Sequence, residues 1–183
     1  MKKSPFIILL LASIVFSQSK KVEDFKLTPD GFPDQYVVLE FENTTSDKIF
    51  TNLKRWAEYN IKNAEYSNYS EVQNEFLAYT MVLNDAVFLN WFGGQYFSPE
   101  FDVELRIKGN RLRIDLLNKG LKDGTNATIE NFEFKKMFKR DGRPRKMKIY
   151  ADAIIYTENS IAKFVALLES AVKGKVDLKK DDW

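Results

Sequence analysis

Apolar and polar positions along the chain change period several times, and each change marks an element. Residues 35–42 (QYVVLEFE) alternate, with Val37, Leu39 and Phe41 on one parity, which predicts a strand with one buried side. Capping candidates Asn43 to Ser46 follow. Ile49, Phe50, Leu53, Trp56, Ala57 and Ile61 then recur at helical spacing, predicting a helix over about 47–62. Residues 66–70 read as a polar loop and 71–83 (EVQNEFLAYTMVL) as a second strand. An aromatic stretch over 86–97, with Gly93-Gly94 at its middle, predicts a small hairpin closed by Pro99.

The strongest signal is a hairpin around Gly109-Asn110. Phe101, Val103, Leu105 and Ile107 share one face of its first arm, and Leu112, Ile114 and Leu116 share one face of its second. If Ile107 faces Leu112, the apolar faces coincide, but Glu104 then opposes Asp115 and Arg106 opposes Arg113. A two-residue slip pairs Glu104 with Arg113 instead, and the sequence leaves both registers open. Residues 119–125 read as loop, and 126–139 with 145–156 as a second hairpin around Asp141-Gly142. A last helix is predicted from a cap at Asn159 or Ser160. It carries an apolar stripe of Ile161, Phe164, Val165, Leu168 and Val172 and ends near Gly174.

The first residues read as an address. Lys2 and Lys3 precede an eleven-residue apolar run, Phe6 to Phe16, that is short against the roughly 20 residues of a membrane-spanning helix. This predicts a signal peptide over 1–17 with cleavage before Gln18, or alternatively after Ser19; an uncleaved anchor is the competing reading. The expected organisation is then a lead-in at 18–34, broken by Pro29-Asp30-Gly31 and Pro33, a single domain at 35–176 and a polar tail at 177–183. The product is expected to be secreted or periplasmic and soluble, with no transmembrane segment left after cleavage.

Composition narrows the chemistry. In 183 residues there is no Cys and no His, which removes Ser-His-Asp and Cys-His triads, Cys/His zinc sites and thiol redox chemistry. No disulfide can form on an oxidising export route, so the apolar core alone must hold the fold. No catalytic residue, cofactor-binding residue or metal ligand is assigned. Removing Lys2 and Lys3 from 28 basic residues leaves 26 to match 26 acidic ones. The mature chain is neutral in sum, so any electrostatic partner must meet a local patch, and nucleic acid is disfavoured.

One patch stands out. Residues 135–148 (KKMFKRDGRPRKMK) hold eight basic residues and one acid: Lys135, Lys136, Lys139, Arg140, Arg143, Arg145, Lys146 and Lys148 against Asp141. Such a segment suits an anionic partner such as lipid headgroups, lipopolysaccharide phosphates or an acidic envelope protein. It equally suits a solvated hairpin whose lysines guard an edge strand. Trp91, Phe92, Tyr96 and Phe97 flank the Gly-Gly pair and are candidate aromatic contacts for a ligand, with core packing as the alternative. Glu100, Asp102 and Glu104 line one strand face at period two. They are the residues on which a carboxylate-dependent hydrolase of envelope or extracellular glycans would rest, or else a solvated face laced with arginine.

The order of DGFPDQYVVLEFE, TTSDKIFTNLKRWAEYNI, EFLAYTMVL, SPEFDVELRIKGNRLRIDLLN, a final amphipathic helix and the ending DDW, behind a leader, resembles a family of short secreted bacterial proteins of unknown function. That family has a TATA-box-binding-protein-like (TBP-like) fold, and the likeness covers about Asp30 to Trp183. It implies an α+β domain in which a curved antiparallel β-sheet carries two helices on one face, in a Gram-negative envelope, with no site to carry over. The fold name does not license DNA binding. The reading from the residues is therefore a non-enzymatic binding or interaction module of the bacterial cell envelope.

Overall fold

The computed structural model describes residues 25–33, 35–61, 66–82, 87–89, 95–122, 128–129 and 134–175. Strand β1 (Tyr36–Glu40) leads into helix α1 (Ser46–Ile61), then β2 (Tyr66–Val72), β3 (Phe76–Val82), β4 (Val87–Leu89), β5 (Gln95–Lys108), β6 (Arg111–Lys122), β7 (Thr128–Ile129) and helix α2 (Lys148–Val172). The strands pair antiparallel in the order β1-β6-β5-β3-β2, with β4 added to the start of β5 and β7 to the end of β6. Both helices cover one face, which makes the domain α+β with an antiparallel sheet, the class the sequence predicts.

Alternation decides which side of the sheet is covered. Val37, Leu77, Tyr79, Met81, Val103, Leu105, Leu112 and Ile114 are buried against the helices, while Glu104, Arg106, Arg113 and Asp115 lie on the opposite, open face. On α1 the stripe Ile49, Phe50, Leu53, Trp56 and Ala57 is buried as its spacing predicts, and the Thr45 hydroxyl accepts the Lys48 N–H at 3.3 Å as the cap. Trp56 joins three elements, its ring centroid 6.1 Å from that of Tyr79 on β3 and 6.0 Å from that of Phe164 on α2. The Asn52 amide donates to the Val172 carbonyl at 2.8 Å, so α1 satisfies one of the orphan acceptors at the end of α2.

The β5–β6 hairpin takes the register in which Ile107 faces Leu112, and the like charges do face each other: Glu104 opposite Asp115 and Arg106 opposite Arg113. Relief comes along the strands. Arg113 donates to Asp115 from Nε at 2.8 Å and from Nη2 at 2.6 Å, and Arg106 donates to Glu104, so each pair is neutralised within its own strand. Burial of the apolar face fixes the register, and the exposed charges adapt to it.

Several expectations are corrected. Residues 66–70 are strand, not loop, and 71–83 is not one strand, because the chain reverses at Gln73 to Glu75 and β2 pairs with β3. That turn uses Asn74 at φ 65 instead of Gly or Pro, and β2 is an edge strand without an apolar parity, so neither carries a clear signal. Pro99 does not close the preceding hairpin; β5 runs through it. Pro99 lies opposite Leu121 of β6 and between residues 95–97, which β4 pairs, and 100–106, which β3 pairs. The β4–β5 pairing agrees with the predicted small hairpin, whose Gly93-Gly94 centre lies outside the described residues. Residues 119–122 continue β6, after a bulge at Lys119 that shifts the pairing from Phe101–Asn118 to Glu100–Gly120 and breaks the alternation.

The largest correction lies near the C-terminus. Arg145 to Tyr156 is not the second arm of a hairpin, since α2 begins at Lys148 and Asn159 and Ser160 sit inside it. Tyr150, Ala153, Ile154 and Thr157 are buried and extend the predicted stripe backwards at helical spacing. The Ile154-Ile155-Tyr156 run reads as β-branched and aromatic, which masks that period. Ahead of β1, residues 25–33 form a strap that the sequence shows only as a lead-in. Phe25, Leu27 and Phe32 are buried in the common core, and the Phe32 ring lies tilted against that of Phe101, centroids 5.7 Å apart. The Gln35 amide mimics a strand partner, accepting the Lys26 N–H at 2.8 Å and donating to the Lys26 carbonyl at 2.7 Å.

Candidate anionic-partner surface

The basic segment is built on an apolar anchor. A 3-10 turn at Phe134–Met137 buries Phe134 and Met137, and Phe138 is buried next to it. From this anchor the chain projects a tight knuckle. Lys139 N–H donates to the Arg143 carbonyl at 2.8 Å, Gly142 N–H to the Lys139 carbonyl at 3.0 Å and Arg145 N–H to the Met137 carbonyl at 2.9 Å, with Phe138 bridged to Pro144. The predicted turn at Asp141-Gly142 is present, but it leads into the start of α2 instead of a strand. Among the described residues of the basic segment there is no strand, only a 3-10 turn, the knuckle and the start of α2, so its cations do not lie along a strand of a hairpin.

Its cations divide into engaged and unpaired groups. Arg143 donates to Asp141 from its backbone N–H at 3.1 Å and from Nε at 2.9 Å. The hydrogen bonds from the Arg143 side chain, then from its backbone, hold the Asp141 carboxyl below the usual carboxylate range, so the segment's one acid stays spent on Arg143 into acid solution. Arg145 Nε donates to the Phe138 carbonyl at 3.0 Å, Lys148 pairs with Asp152 at 2.5 Å and Lys135 with Asp30 at 3.4 Å. Lys136 also has a partner. Lys139, Arg140 and Lys146 make no ion pair among the described residues, and all of residues 140–148 are exposed. The knuckle abuts the N-terminus of α2, whose flanking residue Met147 makes no side-chain cap. Positive charge at the positive end of a helix is unfavourable, so this clustering is not explained by stability.

The other candidates fare differently. Of the aromatic group, Trp91 and Phe92 lie outside the described residues; Tyr96 and Phe97 lie in β5 opposite Phe88 and Val87. Of the acidic row, Glu100 is buried while Asp102 and Glu104 are half-buried, and each carboxylate already has a cation: Glu100 with Lys122 at 3.3 Å, Asp102 with Lys119 at 3.4 Å and Glu104 with Arg106. Asp102 also accepts from the buried Thr80 hydroxyl at 2.6 Å, which in turn accepts from the Asn68 amide at 3.1 Å. These residues line a shallow groove of about 350 Å³. Carboxylates already held by cations do not stand free to act as a base, which weighs against hydrolase chemistry. No three acidic side chains among the described residues gather as a metal site. The Asn68–Thr80–Asp102 chain is not legible in the sequence, since it depends on the β2–β3 and β3–β5 registers. Nor is the exposure of Met147, Ile155 and Tyr156 beside the knuckle, because that stretch reads as strand.

No family model matches the chain. No curated protein matches it in sequence. Among solved structures, a TBP-like protein from Parabacteroides distasonis is similar, with 17% identity over 81% of this chain and 93% of that one and a TM-score of 0.48. A DUF4468 family protein from Bacteroides ovatus is similar, with 8% identity over 89% of this chain and 98% of that one and a TM-score of 0.50. At that identity the second likeness speaks to the fold alone, and the fold of this chain is that of the Bacteroides ovatus protein.

Proposed function

We propose that the chain is a non-enzymatic binding module of the bacterial cell envelope, exported by its leader, and that residues 135–148 hold an anionic partner. The observation that carries the reading is the projecting knuckle, on which Lys139, Arg140 and Lys146 stand exposed or half-buried without an ion pair beside an uncapped helix N-terminus. A phosphate-rich surface, whether a headgroup layer or lipopolysaccharide, supplies the missing counter-charge.

Beads carrying inorganic polyphosphate, a lipid-free phosphate surface, test the electrostatic part. Retention is expected to fall as salt rises. The triple variant Lys139→Glu, Arg140→Glu, Lys146→Glu removes only cations that stand outside every ion pair among the described residues, and it is expected to bind about a hundredfold more weakly at low salt. Retention indifferent to both salt and charge reversal would overturn the reading. Export has its own check: mass spectrometry of the protein from an envelope fraction is expected to find a chain starting near Gln18, and intact Met1 on a cytosolic product would refute it.

A further inference from the structure

Seven large apolar side chains are strongly exposed among the described residues, and four of them belong to α2 or its N-terminal flank: Met147 at 56%, Ile155 at 56%, Tyr156 at 49% and Leu167 at 50%. At about 100° per residue, Lys148, Ile155, Tyr156, Lys163 and Leu167 share the side of α2 opposite its buried stripe, and Met147 joins them to the knuckle. The two acids of this stretch are engaged, Asp152 with Lys148 and Glu158 with Lys26 and the Leu27 N–H. The outward side of α2, which also carries exposed Asp152, Asn159 and Ala166, thus strings Ile155, Tyr156 and Leu167 along its length, with unopposed Lys146 at one end and Lys163 further along.

We propose that this side of α2, together with the knuckle, is a dock for an anionic bilayer surface, with the helix lying in the plane of the interface. The proposal rests on the anionic-partner reading and names the partner. An acidic protein is best met by a compact apolar centre ringed by charge. Here the apolar residues are strung over about 30 Å of one helix with cations among them, which is the layout of an interfacial helix. Met147, Ile155, Tyr156 and Leu167 enter the boundary between headgroups and acyl chains, while Arg140, Lys146 and Lys163 meet lipid phosphates. The contact is interfacial, since no described helix is long and apolar enough to cross a membrane.

Co-sedimentation with vesicles tests it, using the purified chain and phosphatidylcholine vesicles with or without phosphatidylglycerol. The phosphatidylcholine arm controls for insertion of the apolar run at Phe6 to Phe16. Binding is expected only with phosphatidylglycerol present. The double variant Ile155→Ser, Tyr156→Ser, and separately Leu167→Ser, are expected to lower partitioning, the double variant about tenfold, with the same thermal midpoint and the same retention on polyphosphate beads. If the apolar variants sediment like the wild type while charge reversal releases the protein from the beads, the bilayer dock is overturned and the anionic-partner reading stands. If the triple charge variant is retained on the beads like the wild type, the underlying reading fails first. Equal binding to both kinds of vesicle overturns the dock as well.

Discussion

Trp56→Ala is expected to cost about 3–5 kcal/mol of folding stability, a large share of the roughly 5–15 kcal/mol that holds a domain of this kind together. The indole is 4% exposed and touches α1's own stripe, the β3 ring of Tyr79 and the α2 ring of Phe164. Its removal leaves a cavity bordered by three elements, none of which can collapse into it without pulling away from the other two. Urea unfolding should show the midpoint falling with an unchanged slope. A cost under about 1 kcal/mol would mean that the helices are held to the sheet by something other than this junction.

Gly31→Ala should be the next most damaging single change, at about 2–4 kcal/mol, for two reasons that add. Gly31 closes the strap's turn with Thr28 at φ 86, a conformation that a side chain disfavours, and a Cβ there would lie 2.9 Å from Asn118 Cβ. That Asn118 atom is the rooted base of a side chain on β6, so it cannot swing aside. Gly142→Ala serves as the internal comparison: its φ is 79 but nothing lies within 4 Å of the added carbon, so only the conformational part, about 1–2 kcal/mol, is expected. If the two substitutions cost the same, the strap does not press on β6 as described.

Legibility in the sequence tracks the places where burial imposes a period. The β5–β6 arms and their turn are plain, because both arms alternate cleanly around Gly109-Asn110; the choice between two registers needed the folded sheet. Helix α1 is equally plain. The front of α2 is not, because Ile154, Ile155 and Tyr156 carry strand-like side chains and the helical period emerges only once Tyr150 and Ala153 are counted with Ile161. The strap is hidden because Phe25, Leu27 and Phe32 share no period at all. Their burial is set by a turn and by Gln35, not by a repeating backbone. For the basic segment, the charges, the turn and Asp141 stand in the sequence, while the loss of Lys135 to Asp30 is tertiary and that of Lys148 to Asp152 depends on α2 starting at Lys148.

The strap also sets an order of events. The strap precedes β1 in the chain, yet Phe32 packs on Phe101 of β5 and Gly31 lies against Asn118 of β6, and the segment is latched by Glu158, which accepts the Leu27 N–H at 3.0 Å across 131 positions of chain. Helix α1 likewise waits for the far end of α2 through Asn52. Contacts so distant along the backbone return nothing until the whole loop is closed, so the nascent chain can hold local hairpins and helices but no finished core. Completion of the core is deferred to the moment when the last helix arrives.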